Sequence, residues 1–110
     1  MSDNEHFNIY LEETPATDDA VVDLAEQLSN LKMISLCDTC VGDTSARALA
    51  SLQHLNEVRL SGTRITDVGL AAFNGHPYLD VLYLERCDVS PTAVQVVKKA
   101  SPRRLTVYGP

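Results

Sequence analysis

The stretch LNEVRLSGTRITDVGLAAF, residues 55–73, alternates apolar and polar side chains and then changes its spacing. Val58 and Leu60 are two residues apart, which is the spacing of a strand that buries one face. Thr66 is of a type that accepts a hydrogen bond as the N-cap of a helix, and apolar residues three apart follow it. The stretch therefore predicts a strand, a tight turn and a helix.

The same pattern recurs at equal intervals, in copies that begin at Leu31, Leu55 and Leu79. Each copy reads L-x-x-L-x-L-x-x-(T/C)-x-L, with Ile or Val allowed for Leu. A weaker copy precedes them, one position further away than the regular interval, and a fifth start is cut short at the end of the chain. We therefore predict a single domain over residues 1–110. Its repeats cover about residues 6–30, 31–54, 55–78 and 79–102, with a partial repeat at 103–110.

One such repeat cannot bury its own apolar face, so neighbouring repeats must stack. The expected fold is α/β, a short solenoid with parallel strands on the concave face and helices on the convex face. Thr17, Thr66 and Ser90 occupy equivalent positions and are predicted to cap helices. The repeat that starts at Leu31 has Gly42 at this position, and we expect the adjacent Asp43 to act as a substitute cap.

The repeat pattern resembles the leucine-rich repeat family over about residues 6–108. The segments GTRITDVGL and ERCDVSPTAV are most similar to its cysteine-containing, ribonuclease-inhibitor-like subtype. This resemblance implies a leucine-rich-repeat solenoid that binds another protein on its concave face and has no catalytic activity. Relatives in that subtype often recognise substrates for ubiquitin ligases, but we do not expect that role here, because the residues before the first repeat are too few for an F-box domain.

Composition limits the possible partners. The chain has 110 residues, with 9 Lys and Arg against 15 Asp and Glu and a net charge of −6. This charge has the wrong sign for binding nucleic acid or an anionic membrane, so we expect neither. A partner protein with a basic or neutral surface fits better. The N-terminal residues have no signal-peptide pattern, and we predict a cytoplasmic protein with reduced cysteines.

The candidate chemical groups are few and are most simply explained as structural. Cys37 and Cys40 form a C-x-x-C pair, but the register places them at a strand end and in a turn, not at a helix start. Cys87 occupies the Thr/Cys position of its repeat, and Cys37 is the cysteine expected to be exposed. His6, His54 and His76 are interpreted as surface or turn histidines. We predict no catalytic residue, cofactor or metal.

Strand alternation selects the side chains of the concave face. Tyr, Met and Arg are enriched at protein interfaces, and glutamates would select or steer a basic partner. The alternative is an ordinary solvated sheet face, which is also expected to be largely polar. The predicted binding residues are Tyr10, Glu12, Met33, Ser35, Glu57, Arg59, Val81, Tyr83 and Glu85, with Tyr10, Arg59 and Tyr83 as anchors.

Three functions remain open from the sequence. The first is a non-catalytic protein-protein interaction module that acts as an adaptor, an inhibitor or a subunit. The second is a thiol or metal site at the Cys37–Cys40 pair. The third is a structural unit that self-assembles into homo-oligomers through its sheet edges, because the strand begun by Leu105 and Val107 would have an unpaired outer edge.

Overall fold

The computed structural model describes residues 7–109, and over this range strands and helices alternate. All the strands lie in one parallel sheet in their order along the chain. The strands are β1 (Phe7–Tyr10), β2 (Leu31–Ser35), β3 (Glu57–Arg59), β4 (Val81–Tyr83) and β5 (Thr106–Tyr108). The helices are α1 (Asp18–Gln27), α2 (Asp43–Ala50), α3 (Asp67–Ala71) and α4 (Pro91–Ala100).

The strand register follows the repeat period. Ile34 pairs with Val58 and Val58 with Leu82, so the central strands are related by one regular interval of the sequence pattern. The outer pairs, Ile9 with Ile34 and Leu82 with Val107, are each separated by one position more. These side chains face the helices and form one row of the core. The predicted α/β solenoid of parallel strands covered by helices is therefore confirmed.

The core lies between the sheet and the helix layer. Leu36, Leu60 and Leu84 have no exposed surface, and Leu49 and Phe73 cover them from the helical side of the core. Each side chain buried in this way stabilises the fold by about 1.5–3 kcal/mol. Packed helices need about 8–10 Å while strands are about 4.8 Å apart, so the helix layer is the longer one. The open face of the sheet therefore lies on the inside of the curve.

The turns that follow the strands resemble one another. Thr39 Oγ1 donates to the Leu36 carbonyl at 2.7 Å, and Thr63 Oγ1 donates to the Leu60 carbonyl at 2.5 Å. The thiol of Cys87 takes the equivalent position, but it donates to the Leu60 carbonyl of the preceding repeat, at 2.9 Å. The Thr and Cys side chains at this position of the repeat thus bond backbone carbonyls in the bend.

The residue just before the Thr/Cys position of the repeat has a left-handed backbone conformation. The residues with positive φ there are Glu13, Asp38, Gly62 and Arg86. A positive φ costs a residue with a side chain roughly 1–2 kcal/mol. Backbone hydrogen bonds to the next repeat hold this conformation in place, such as Asp38 N to the Ser61 carbonyl at 2.9 Å and Gly62 N to the Glu85 carbonyl at 2.8 Å.

The helix starts are capped by their own side chains in three cases. Thr17, Thr66 and Ser90 each accept a hydrogen bond from a backbone amide in the first turn, as predicted. The prediction for α2 was wrong, because Gly42 is the N-cap and Asp43 makes no side-chain cap to its own helix. The side chain of Asp43 is directed to the next helix, where it accepts from Thr66.

Asp18, Asp43 and Asp67 form an aspartate ladder along the helix starts. Asp18 Oδ1 accepts from the amides of Gly42 at 2.9 Å and Ser45 at 3.3 Å, and it thereby supplies the cap that α2 lacks. Asp43 accepts from Thr66 N at 2.8 Å and Thr66 Oγ1 at 2.6 Å. Asp67 accepts from the amide and hydroxyl of the residue that caps α4, at 2.7 and 2.8 Å.

Burial and hydrogen bonding act in opposite directions on the Asp18 carboxyl. Burial raises its pKa, whereas the hydrogen bonds from Gly42 and Ser45 lower it. The hydrogen bonds together outweigh burial, so the net pKa lies below the usual value of an aspartate. The carboxylate is thus stabilised in its charged form, the form that accepts all of these bonds.

Candidate functional site

The open face of the sheet is the surface that the helices leave uncovered. Strand register arranges its side chains in rows across the sheet. The middle row consists of Tyr10, Ser35, Arg59, Tyr83 and Tyr108. The flanking row consists of Asn8, Met33, Glu57, Val81 and Thr106. Glu12 and Glu85 lie beyond the strand ends, next to the middle row.

Arg59, Tyr83 and Tyr108 form a stack along the middle row. The rings of Tyr83 and Tyr108 have centroids 4.7 Å apart and planes inclined by 21°. The Arg59 guanidinium lies 5.3 Å from the Tyr83 centroid, which is cation–π distance. Arg59 Nε also donates to Glu57 Oε2 at 2.6 Å, and this hydrogen bond raises the pKa of the guanidinium. The Tyr83 ring is therefore packed between the Arg59 guanidinium and the Tyr108 ring.

Two predicted binding residues differ from the expectation that they are exposed. Ser35 has 0% of its surface exposed and Met33 has 6%. Both lie on β2, between β1 and β3: Asn8 and Glu57 flank Met33, and Tyr10 and Arg59 flank Ser35. The Ser35 hydroxyl also donates to Glu12 Oε2 at 2.7 Å, which directs that carboxylate over it. A partner can reach neither side chain without moving its neighbours.

The remaining predicted residues are accessible to different degrees. Tyr10, with 58% of its surface exposed, is the most open aromatic side chain of the face. Arg59, Val81 and Tyr83 are half-buried, as is Glu57, whose charge is paired with Arg59. Glu12 and Glu85 are exposed. Glu85 Oε1 accepts from the Ser61 hydroxyl at 3.0 Å.

Tyr108 was missed by the sequence reasoning. It is 45% exposed, lies at the end of the middle row and pairs with Tyr83. The signal was weak because the last pair of strands, like the first pair, is offset by one position more than the regular interval of the central strands. A strand as short as β5 also gives too little pattern to fix its register.

The cysteines are free thiols in unequal surroundings. The prediction that Cys37 is the exposed one was wrong, since Cys37 is half-buried and Cys40 is exposed. Cys37 closely follows the end of β2, whereas Cys40 lies further into the turn, after Thr39. Cys87 is half-buried and donates to the Leu60 carbonyl. Within residues 7–109, no three His, Cys, Asp or Glu side chains gather as metal ligands would.

The histidines also divide. His54 is exposed, while His6 lies outside the described residues. His76 lies in the turn that follows α3, as predicted, but it is buried and is not a surface residue. Its Nδ1 faces the amides of Tyr78 and Leu79 at 3.3 and 3.2 Å and must accept from them. The proton is therefore on Nε2, which donates to the Leu52 carbonyl at 2.8 Å.

Comparison with protein families gives one finding for this surface. Residues 51–73 match a family model described as Leucine Rich repeat. The matched segment contains β3 and α3, and it supports a leucine-rich repeat protein and a protein-interaction module in general. It does not distinguish subtypes within the family. A comparison with curated proteins gives no match. Among the described residues, no helix has the length and apolar character needed to cross a bilayer.

Proposed function

We propose that the protein is a non-catalytic interaction module of the cytoplasm that binds a partner protein through the open, concave face of its sheet. It would act as an adaptor, an inhibitor or a subunit of a larger assembly. The observation that carries this proposal is the stack of Arg59, Tyr83 and Tyr108. The matched leucine-rich repeat agrees with it, because it includes the strand that bears Arg59.

The stack has the properties of an interface anchor. Tyrosine and arginine dominate the residues whose truncation most weakens protein complexes. Stacking fixes the rings before a partner arrives, so less side-chain freedom is lost on binding. Tyr10 lies in the same row, on the far side of Ser35, and offers a second exposed aromatic group. A partner that covers the row would contact both the stack and this ring.

The charges around the row favour a basic or neutral partner. Glu12 and Glu85 are exposed at the strand ends, and the whole chain carries a net charge of −6. The hydrogen bonds from Ser35 and Ser61 fix the position of these carboxylates. Exposed carboxylates of this kind act mainly on association rate and specificity. The same charges disfavour nucleic acid and anionic membranes.

The test is site-specific photo-crosslinking in an extract of the cells that make the protein. A photoreactive phenylalanine analogue replaces Tyr10 or Tyr83 in turn, and Val96 in the control. Val96 is a suitable control because it is 49% exposed on α4, in the helix layer on the other side of the sheet. We expect one partner to be crosslinked from positions 10 and 83 and not from 96.

A second experiment uses the identified partner in purified form. Its affinity is measured for the wild type and for a Tyr10→Ala, Arg59→Glu, Tyr83→Ala variant whose fold is checked by circular dichroism. A loss of at least about 100-fold supports the proposal, since all three proposed anchors are removed. Equal affinity would contradict it, and crosslinks between copies of this chain would favour the self-assembling structural unit.

A further inference from the structure

A cavity of about 230 Å³ opens at the edge where the strands begin. Its lining residues are Lys32, His54, Asn56, Tyr78 and Arg103. Each helix runs back along its strand, so this edge also contains the helix C-termini. The aspartate ladder lies at the opposite edge, where the helices start. The cavity is therefore separated from both the ladder and the open face.

The backbone holds the walls of the cavity in register. Asn56 N donates to the Lys32 carbonyl and Asp80 N to the Asn56 carbonyl, both at 2.8 Å. Lys32, Asn56 and Asp80 thus stand at the starts of three successive strands. With strands about 4.8 Å apart, Lys32 and Asp80 are separated by roughly 10 Å. The amide side chain of Asn56 occupies the space between them.

Arg103 is fixed in position on the far wall. Its Nε and Nη2 donate to the two oxygens of Asp80, at 2.6 and 3.2 Å. Its guanidinium also lies 5.9 Å from the Tyr78 ring centroid. Asn56 Nδ2 donates to Asp80 Oδ2 at 2.5 Å and to the Tyr78 carbonyl at 3.2 Å, which locks the carboxylate. Nη1 of Arg103 takes no part in the hydrogen bonds to Asp80.

Lys32 supplies a second cation on the near wall. It is exposed, and among residues 7–109 its ammonium has neither an ion pair nor a side-chain hydrogen bond. Lys98 and Lys99 add positive charge in the last turn of α4, at the same edge. This edge is thus locally basic in a chain whose net charge is −6. Exposed, unpaired cations beside a cavity attract anions by Coulomb interaction.

We propose that this cavity is a binding site for an oxyanion, a phosphate or carboxylate group held between the Lys32 ammonium and the Arg103 guanidinium. Asp80 already occupies Nε and Nη2 of Arg103, so the guanidinium would donate to the anion through Nη1, and lysine acts as a mobile point charge. The ring of Tyr78 forms an apolar wall that accommodates the part of the ligand that carries the anion. The site is independent of the proposed function, because it shares no residue with the open face.

The first measurement is a titration of the ¹⁵N-labelled full chain with inorganic phosphate, followed by NMR. We expect saturating shifts of the amides around Lys32, Asn56 and Tyr78, with a dissociation constant in the millimolar range. In Lys32→Gln the affinity for phosphate should fall about tenfold or more, because one of the two cations that bind the anion is lost. Arg64→Gln is the matched control. It also removes one cation, but in the loop after β3, and should leave the affinity unchanged.

A second titration identifies the source of the oxyanion. A short peptide of aspartate and glutamate residues is compared with phosphate on the same samples. Tighter binding of the peptide assigns the cavity to an acidic segment of a protein, and tighter binding of phosphate assigns it to a small phosphorylated molecule. Either result supports the site if Lys32→Gln weakens it. Shifts that do not saturate, or equal affinities for wild type and Lys32→Gln, would overturn the proposal.

Discussion

Arg86 reaches across Gly62 to Asp38, with its Nη1 2.7 Å from Asp38 Oδ1. The pair joins two turns that are 48 residues apart in sequence and passes directly over the turn between them. A Cβ atom on Gly62 would collide with Asp38 Oδ1 and lie 2.6 Å from Arg86 Nη1. The absence of a side chain at residue 62 is therefore the condition under which this ion pair forms.

Gly62→Ala should destabilise the protein and break this ion pair. Its φ of +73° alone makes a side chain unfavourable by roughly 1–2 kcal/mol. The control is Gly75→Ala, since Gly75 has a φ of +76° but no neighbouring atom within 4 Å of the place that a Cβ would take. Urea unfolding should show the larger loss for Gly62→Ala, with the excess disappearing when Asp38 is also replaced by Ala. Equal losses for the two variants would show that the ion pair contributes nothing.

Asp18→Ala should loosen the start of α2. The substitution removes the acceptor for the amides of Gly42 and Ser45, and loss of such a cap costs about 1–2 kcal/mol. Asp23→Ala is the control, because Asp23 is an exposed acid of the same helix. Hydrogen exchange of the α2 amides should increase in the first variant only. Unchanged exchange would mean that the carboxylate does not act as the cap.

The same carboxylate makes part of the stability depend on pH. Because its pKa is lowered in the folded state, its contribution is complete above the unfolded value of about 3.9 and is lost as the pH falls through the lower folded value. The wild type should therefore lose more stability than Asp18→Asn between about pH 5 and pH 2. Unfolding free energies measured across this range test the difference, and parallel curves would contradict it.

His76→Ala should be strongly destabilising. It leaves the Leu52 carbonyl and the amides of Tyr78 and Leu79 without their partner, and each buried group left unpaired costs about 1–3 kcal/mol. His54→Ala, at an exposed position, should cost less. In the wild type, ¹⁵N NMR of the imidazole should detect the proton on Nε2. A proton on Nδ1 would be incompatible with the two amides that face it.

The cysteines should differ in their reaction with a thiol reagent. Cys40 is exposed, whereas Cys87 is half-buried and its thiol donates to the Leu60 carbonyl. In variants that retain one cysteine each, labelling should be fastest at Cys40, slower at Cys37 and slowest at Cys87. Labelling of Cys37 ahead of Cys40 would indicate that the turn opens readily in solution.

The repeat period was visible in the sequence because a solenoid uses the same apolar positions in every unit. Leu36, Leu60 and Leu84 recur at equal steps and are fully buried, so their spacing predicted both the strands and the side that faces the helices. The outward rows followed from strand alternation alone. Periodicity therefore located the candidate surface to within one strand, since β5 and its Tyr108 were not included.

The burial of a side chain depends on residues that are close in space but distant in sequence, and the pattern of a single strand does not show them. Ser35 is covered because Glu12 lies next to it in space, 23 residues away in the chain. Asp43 could not be recognised as the acceptor for the next helix, because its short-range role as a cap for its own helix has the same sequence pattern. His76 is similar, since its partner is the carbonyl of a residue 24 positions earlier.

The aspartate ladder also determines the order in which the helix caps can form while the chain is being synthesised. Each carboxylate belongs to the earlier helix and serves the later one, so a ribosome makes Asp18, Asp43 and Asp67 before the amides that they bind. A nascent chain can therefore add helices one at a time onto acceptors that already exist, as expected for folding during synthesis from the N-terminus. A fragment that begins after Asp18 would leave α2 without the carboxylate that caps it.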